Sequence, residues 1–220
     1  MLPQEADWIH DILYDTIGRD AFPLLNVGSQ TLWFRTVAQP HIDEAIFAPA
    51  RACGWPVIHV DLQKANGVDM AGDLCDPEFR KTLLDVKPRA ILCSNLLEHL
   101  PVAIRDTICQ AMVALLPPGG YLLVTVPSSF PYHPDPIDTY FRPAAADLAR
   151  FFPGAHLLKC HELEGETRWA YFRQQPRALA KVALRALLPF YRLRCWAGVM
   201  HQFFWLFRPI RIACALLQKA

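Results

Sequence analysis

The chain lacks the cysteine spacing of a metal-binding or disulfide-stapled protein. Its seven cysteines are scattered, no two of them are separated by two residues, and their number is odd. This pattern is typical of reduced, buried thiols in a cytosolic protein. The first residues, MLPQEADWIHD, contain neither a basic segment nor an apolar one, so they predict no secretory signal.

Acidic residues are absent after Glu166, whereas ten Lys and Arg residues follow it. The first 166 residues carry the opposite excess, with 12 basic and 21 acidic side chains. The net charge of +1 therefore hides a strong asymmetry. A basic segment of this kind indicates an anionic partner, which could be a membrane surface, a nucleic acid or an acidic protein surface.

Glycine is scarce where a dinucleotide-binding protein needs it. The apolar run Leu24–Val27 ends at Gly28, but Ser29 and Gln30 follow, without the further glycines of a GxGxxG fingerprint. Their absence argues against a nicotinamide-dependent enzyme. A buried strand that ends at a glycine is nevertheless typical of a parallel sheet that delivers its carboxyl end to a nucleotide-type ligand.

Helical and strand patterns alternate along the chain. We predict helices over residues 4–18, 41–47, 77–84, 102–116 and 144–152, and strands over 24–28, 57–61, 68–72, 90–95 and 121–126. Two more strands, 156–163 and 167–173, are predicted to form a hairpin. This order predicts an α/β fold, with a doubly wound, mostly parallel, seven-stranded Rossmann-like sheet that has an antiparallel edge strand. We assign residues 1–175 to this domain and 176–220 to a helical C-terminal extension outside the sheet.

The strand ends resemble those of class I S-adenosylmethionine-dependent methyltransferases, over about residues 22–172. The resemblance lies in Asn26–Ser29, Asp61, Gly72–Leu74, the run NLLEHL at 95–100 and the block LPPGGYLLVTVP at 116–127. Within that family the chain is most similar to the small methyltransferases encoded among sugar and lipopolysaccharide enzymes. The resemblance implies S-adenosylmethionine as the cofactor and methyl transfer as the reaction. We expect a hydroxyl of a saccharide or lipid-linked acceptor to receive the methyl group.

The resemblance also implies contacts for the nucleoside part of this cofactor. Asp61 would accept hydrogen bonds from both ribose hydroxyls, and Leu62 would flank the adenine. Asp73 would accept a hydrogen bond from the adenine amino group, and the backbone N–H of Leu74 would donate one. Two structural alternatives stay open, because Asp61 could cap a loop and Asp73 could mark only the start of a helix.

The amino acid part of the cofactor would lie at the ends of the first and fourth predicted strands. There the resemblance points to Asn26, Gly28 and Ser29, with Gly28 allowing a close backbone approach. Asn95 would hold the amino acid end of the cofactor.

The proline-rich loop 128–143 is the predicted wall of the acceptor site. Its aromatic side chains, Phe130, Tyr132 and Tyr140, offer flat surfaces for a sugar or an aromatic acceptor. A hydroxyl acceptor benefits from a general base, and His133 or Asp135 could supply one, with Asp138 and Arg142 as further polar groups. The alternative is a stiff loop in which these side chains only cap turns.

Glu98 and His99 allow three interpretations. They can order the start of a helix and shape the pocket, or His99 can act as a general base. A third interpretation comes from family members that hold a divalent metal with a Glu-x-x-Glu-His pattern. This chain has Asn95 at the first position, so a carbonyl oxygen there, the Glu98 carboxylate and the His99 imidazole would be the ligands of a metal-dependent RNA methyltransferase, with His133 as a further ligand. We predict no metal site.

The C-terminal region combines basic and apolar patterns. Arg177, Lys181 and Arg185 recur every four residues, and residues 195–207 form an uncharged run of 13 between arginines. That run is shorter than the ~20 residues of a spanning helix but suits a segment lying in a membrane interface. The alternatives are packing on the catalytic domain or on a second copy, and nucleic-acid contact, which the pattern favours least.

We therefore expect a cytoplasmic protein that associates peripherally with the inner face of the cell membrane. A rival hypothesis is an inactive methyltransferase fold that serves as an interaction module at a membrane.

Overall fold

The structure is a computed structural model that describes residues 1–132, 137–167, 169–170, 173, 176–187, 196 and 205–220, with the backbone alone for Glu166 and residues 176–179. Its strands are β1 (Leu24–Val27), β2 (Val57–Asp61), β3 (Met70–Ala71), β4 (Ala90–Ser94), β5 (Tyr121–Ser129), β6 (Ala155–Thr167) and β7 (Pro209–Lys219). They form one sheet in the order β3-β2-β1-β4-β5-β7-β6. The pairs from β3 to β5 are parallel, and β7 is antiparallel to both β5 and β6. The doubly wound, mostly parallel fold class is confirmed.

The helices begin and end where the local sequence favours it. They are α1 (Pro3–His10, continued by wider turns over Asp11–Ile17), α2 (Ala48–Cys53), α3 (Pro77–Asp85), α4 (Val102–Leu115) and α5 (Pro176–Ala186). Shorter helical segments are Gly18–Ala21, Phe34–Ala38, Pro40–Ile42, Asp43–Phe47, Leu97–His99 and Ala145–Phe151. Helix α3 shows the capping rule, because the Asp76 carboxylate accepts the Glu78 N–H at 3.0 Å and Pro77 takes the first helical position.

The sheet is buried on both faces. Alternate residues point to opposite sides, so Leu24 and Leu123 pack with α1 while Leu25 and Leu122 pack with α4. Both sets are fully buried, which is why these strands are continuous apolar runs in the sequence. Burial on both faces leaves the strand ends as the place where polar side chains meet a ligand.

The C-terminal strand corrects two predictions. The hairpin of strands 156–163 and 167–173 is wrong, because β6 runs without interruption to Thr167 and pairs with β7, where Thr167 lies opposite Pro209. The placement of all of 176–220 outside the sheet is wrong for the same reason, since β7 lies between β5 and β6. Among the described residues of 176–220, those before Pro209, chiefly α5, lie outside the sheet. Residues 168 and 171–172 of the predicted hairpin lie outside the described residues.

The predicted tail is therefore an excursion within the sheet, over residues 168–208. Part of it lies in the described residues, where α5 confirms the helical pattern around Lys181 and Arg185. Most of the uncharged run 195–207 lies outside them. No helix in the described part of the chain has the length and hydrophobicity to cross a bilayer.

Three of the six described cysteines are buried as predicted. These are Cys93, Cys109 and Cys214, all unpaired, and desolvation raises the pKa of each thiol. Cys53 and Cys160 are exposed, so the prediction of buried thiols is wrong for them.

Candidate cofactor and acceptor site

A cavity of about 950 Å³ opens at the carboxyl ends of the parallel strands. It lies beside β1, between β2 and β4, where the order of the strands reverses and open α/β sheets bind their ligands. The predicted cofactor-binding residues and His99 all line it: Asn26, Gly28, Ser29, Asp61, Leu62, Asp73, Leu74, Asn95 and His99. Residues distant in the sequence therefore meet at one site. His133 and Asp135 lie outside the described residues.

The turn after β1 requires its glycine. Gly28 has a φ of 71°, and a Cβ there would approach the Leu96 side chain to 3.1 Å. Its N–H donates to the Val60 carbonyl at 2.9 Å, and the Ser29 N–H donates to the same oxygen at 3.1 Å. The turn is thereby fixed to β2, with Gly28 facing the cavity without a side chain.

Arg35 holds the glycine-poor part of this loop. Its guanidinium is 2% exposed and donates to the carbonyls of Ser29 and Gln30 at 2.7 Å each, and to that of Gly67 at 2.8 Å. Burial lowers the pKa of Arg35, although nearby carboxylates such as Asp43 oppose this effect. The loop at Ser29 and Gln30 is thus fixed by the buried Arg35 guanidinium, which donates hydrogen bonds to three backbone carbonyl oxygens.

Asn26 is held by a neutral histidine. Its side-chain amide lies 3.0 Å from Nδ1 of His59, and burial lowers the pKa of His59 to about 4. The unprotonated Nδ1 can therefore accept a hydrogen bond from the Asn26 amide. Asn26 is 6% exposed, so its role at the floor of the cavity is chiefly positional.

Asp61 ends β2 with its carboxylate at the cavity. One oxygen accepts the Gln30 N–H at 2.9 Å, and the other lies 3.4 Å from the Gln63 nitrogen. These contacts aim the carboxylate and leave lone pairs on both oxygens. The loop-capping alternative and the binding role are thus compatible in the same geometry. Leu62 beside it is 66% exposed, which is a large apolar surface at the rim of a cavity.

Asp73 and Leu74 form the next part of the wall. The Asp73 carboxylate accepts the Cys75 N–H at 2.8 Å, as in an Asx turn, while Asp76 rather than Asp73 caps α3. The Leu74 N–H has no acceptor within the described part of the chain, although its side chain is buried. A backbone donor and a carboxylate acceptor are therefore placed side by side at this point.

The Glu5 side chain of α1 lies against the ends of β4 and β5. Its fully buried carboxylate accepts hydrogen bonds from Ser94 at 2.9 Å, from the Asn95 amide at 2.7 Å and from the Thr125 hydroxyl. Its second oxygen accepts the Leu2 N–H at 3.1 Å. Asn95, with a φ of 49°, thus uses its side chain on Glu5. Leu2 and Glu5 both line the cavity, so the N-terminal segment forms part of its wall.

Glu98 and His99 follow β4 as an adjacent pair. The Glu98 carboxyl is fully buried, neither of its oxygens has a hydrogen-bond partner among the described residues, and burial raises its pKa to about 8. His99 Nδ1 donates to the Ile137 carbonyl at 2.5 Å. That bond assigns the proton of a neutral imidazole to Nδ1 and leaves Nε2 as the basic nitrogen, 3.8 Å from Glu98 Oε1.

The described part of the predicted acceptor loop divides into two groups. Phe130 lines the cavity, and Tyr132 stacks on Tyr140 with ring centres 5.1 Å apart at the surface. Asp138 and Arg142, expected as polar groups for an acceptor, instead pair with each other at 2.6 Å. Neither of these two lines the cavity, so the expectation for them is wrong and they stiffen the loop.

Among the described residues, no group of three or more His, Cys, Asp or Glu side chains is arranged to hold a metal ion. Asn95, the first position of the metal-binding pattern, directs its amide to Glu5. His133, predicted as a further ligand, lies outside the described residues.

Sequence reasoning missed three side chains that build the site. Glu5, Arg35 and Arg105 are buried, and their partners lie on other elements or on the backbone. Arg105 donates to the carbonyls of Leu97 and Leu100 and to the Thr139 hydroxyl, tying the loop after β4 to the acceptor loop. The sequence signal for Arg105 was weak, because it is one of two adjacent charged residues, with Asp106, in the otherwise uncharged helix α4.

No family model matches the chain, and no curated protein matches it. Solved structures do match its fold. A 1,6-didemethyltoxoflavin-N1-methyltransferase from Burkholderia thailandensis is 14% identical, with a TM-score of 0.54 over 98% of this chain and 78% of that one. Coclaurine N-methyltransferase is 13% identical, with a TM-score of 0.51 over 98% and 72%. The cyclase SpnF is 16% identical, with a TM-score of 0.55 over 99% and 81%.

At these low sequence identities the matches support the fold, and the reaction has to be inferred from the residues of the site. The strand order, the cavity beside β1 and the matches to solved structures agree with one another. The chain has the fold of the class I S-adenosylmethionine-dependent methyltransferases.

Proposed function

We propose that the chain is an S-adenosylmethionine-dependent methyltransferase that acts on a hydroxyl of a saccharide or lipid-linked saccharide acceptor. The observation that supports it most is the set of hydrogen-bonding groups at the cavity. Asp61 and Asp73 lie at successive strand ends, beside the Leu74 N–H and the side-chain-free surface of Gly28. These groups match a ribose diol, an adenine amino group and an adenine ring nitrogen in turn.

The charge of the cavity fits the same cofactor. Its described lining residues include three carboxylates, on Glu5, Asp61 and Asp73, whereas Glu98 keeps its proton below about pH 8. The two cations among them, the Arg35 guanidinium and the Met1 amino group, are directed to the protein's own oxygen atoms, and the carboxylates outnumber them. S-adenosylmethionine carries a methyl group on a positively charged sulfur and supplies it to a nucleophile. An acidic cavity favours a cation of this kind.

His99 is the proposed general base. Its Nδ1 is fixed by the Ile137 carbonyl, so Nε2 can take the proton of an acceptor hydroxyl. The adjacent Glu98 carboxyl, 3.8 Å from Nε2, keeps its proton below about pH 8 and stabilises the imidazolium only above that pH. His133 and Asp135 remain candidates for the same role. Phe130 provides a flat wall for the acceptor, and most of the rate would come from positioning.

Calorimetric titration with S-adenosylmethionine and S-adenosylhomocysteine tests the cofactor assignment. We expect both to bind, and Asp61→Ala to weaken binding at least about tenfold, because hydrogen bonds to a charged group contribute about 1.5–3 kcal/mol. Asp69→Ala is the matched control, since Asp69 also accepts a backbone N–H of β2 but does not line the cavity. No binding by the wild-type chain, or equal loss in both variants, contradicts the proposal.

Transfer of a labelled methyl group to saccharide and lipid-linked saccharide fractions tests the reaction. We expect His99→Ala to lose at least about a hundredfold in turnover, a typical general-base contribution, with the affinity for S-adenosylmethionine unchanged. His161→Ala, an exposed histidine on β6, should keep full turnover. Transfer to amines but not to these fractions would overturn the acceptor class, and binding without any transfer would favour the inactive module.

A further inference from the structure

We propose that the described part of the excursion 168–208, which includes α5, Leu187 and residues 205–208, is a docking surface for an anionic lipid bilayer. The structure shows where this segment leaves and returns. β6 runs in the same direction as β5, and Thr167 lies opposite Pro209. The 41 residues between them therefore start and finish at the carboxyl edge of the parallel strands, where the cavity opens.

Contacts at the base of the excursion connect it to the cavity wall. A Cβ on Gly165 of β6 would approach the Leu2 side chain to 2.8 Å, and Leu2 lines the cavity. On the neighbouring strand, Ile212 also lines the cavity, three residues after β7 begins. A surface held against the base of the excursion would therefore lie close to the opening through which an acceptor enters.

The charge of the excursion selects the chemistry of its partner. It holds eight Lys and Arg residues and no Asp or Glu. It also holds ten of the 25 aromatic residues of the chain, although it spans less than a fifth of the length. Basic residues interspersed with Trp, Phe and Leu are typical of segments lying at the headgroup boundary of anionic membranes.

The described side chains of the excursion present both features to solvent. Leu184 is 63% exposed, Leu187 is 77% exposed and Phe207 is 71% exposed. Lys181 and Arg185 are exposed on the same helix, α5. Large apolar side chains that are exposed to water beside lysine and arginine are stabilised at an interface that offers both hydrocarbon and phosphate.

The aromatic residues at the return of the excursion are arranged for an interface. The Arg208 guanidinium lies 5.8 Å from the centre of the Trp205 ring, and Trp169 lies 5.7 Å from Phe207. The backbone N–H of Trp169 donates to the Leu206 carbonyl at 2.9 Å, and this hydrogen bond joins the two ends of the excursion just beyond the sheet. This pairing gives the base of the docking surface a defined geometry. A bilayer accommodates it better than a nucleic acid does, because the exposed leucines have no partner on a phosphate backbone.

Flotation of the full chain with lipid vesicles tests the proposal. We expect the chain to float with phosphatidylcholine vesicles that contain phosphatidylglycerol, and not with phosphatidylcholine alone. Salt should weaken the association, since the Debye length falls to about 3 Å at 1 M. The combined variant Lys181→Gln and Arg185→Gln should bind the anionic vesicles roughly thirtyfold less tightly, at about 1 kcal/mol for each basic residue.

Two further variants separate charge from hydrophobic contact. Arg19→Gln with Arg89→Gln removes the same charge from exposed positions before β1 and β4, at the opposite end of the sheet, and should leave vesicle binding unchanged. Leu184→Ser with Leu187→Ser keeps the charge and should weaken binding to the anionic vesicles. These residues are exposed, so the variants should keep the circular dichroism of the wild type.

Three outcomes would overturn the proposal. They are failure of the full chain to float with anionic vesicles, equal losses in the Lys181/Arg185 variant and its control, and retention by single-stranded RNA at a salt concentration that releases it from vesicles. The assay contains no cofactor, so its result is independent of the methyl-transfer proposal.

Discussion

Glu98 is the residue whose protonation the fold changes most clearly. Its carboxyl is fully buried without a hydrogen-bond partner among the described residues, and its pKa is raised to about 8. The folded chain therefore keeps this proton between about pH 4.5 and pH 8, where an unfolded chain has lost it. Because the folded state binds more protons in this window, its stability falls as the pH rises through it.

Replacement of Glu98 by glutamine should remove this loss of folding stability at high pH. One pKa unit corresponds to about 1.4 kcal/mol, so by pH 9 the ionised carboxylate costs about 5 kcal/mol of folding stability. We expect the melting temperature of Glu98→Gln to exceed that of the wild type by about 10–20 °C at pH 9, at about 2–4 °C per kcal/mol. The advantage should be small at pH 5.

Glu44→Gln is the matched control, because it makes the same chemical change on an exposed side chain. Its melting temperature relative to the wild type should be the same at both pH values. A Glu98→Gln variant with an equally flat difference would show that Glu98 is already ionised in the folded chain.

The individual residues of the site differ in how far the sequence reveals them. Asp61 and Asp73 were predictable, because each directly follows a short β-rich run and strand ends are local features. Arg35 was not, since its three acceptors are backbone carbonyls that any sequence could supply. Glu5 was hidden for another reason, since its partner Thr125 lies 120 residues away.

Helix α1 illustrates the same point at the level of the element. Its amphipathic pattern, with Trp8, Ile12 and Ile17 on one side, predicts a helix, and Trp8 and Ile12 are buried as the pattern requires, whereas Ile17 is only partly buried. The pattern does not predict that Glu5, on the same helix, is buried at the ends of β4 and β5. The helix is therefore fixed to the sheet by apolar packing along its length and by one carboxylate at its start.

The substitution Glu5→Gln should loosen α1 at that point. An amide keeps only one acceptor oxygen, so it can serve either the three side chains Ser94, Asn95 and Thr125 or the Leu2 N–H, and its NH2 group then faces another donor. At least one buried donor therefore loses its acceptor, at a cost of about 1–3 kcal/mol. We expect a lower denaturant midpoint and faster hydrogen exchange of the amides of α1. Asp7→Asn, on the exposed side of the same helix, should change neither. Unchanged exchange in Glu5→Gln would mean that apolar packing alone holds the helix.

At the scale of the whole molecule, the sequence predicts the parallel half of the sheet better than the antiparallel half. β1, β2, β4 and β5 are apolar runs between turn residues, and each was placed within a few residues. β7 is an equally apolar run, but its position between β5 and β6 depends on pairing across a gap of 41 residues. Local patterns carry no information about which distant strand completes a ladder, and so its residues were assigned to a helical tail.

The position of β7 has a consequence for how the protein is made. Among the described strands β6 pairs with β7 alone, so none of them is available to pair with it while the ribosome adds the excursion at about 5–20 residues per second. Basic and aromatic residues 168–208 thus emerge before the last strand does. Closing so long a connection costs only about 3 kcal/mol more than closing a two-residue turn, because loop entropy grows with the logarithm of length. A nascent chain could therefore meet a bilayer first and complete its sheet there.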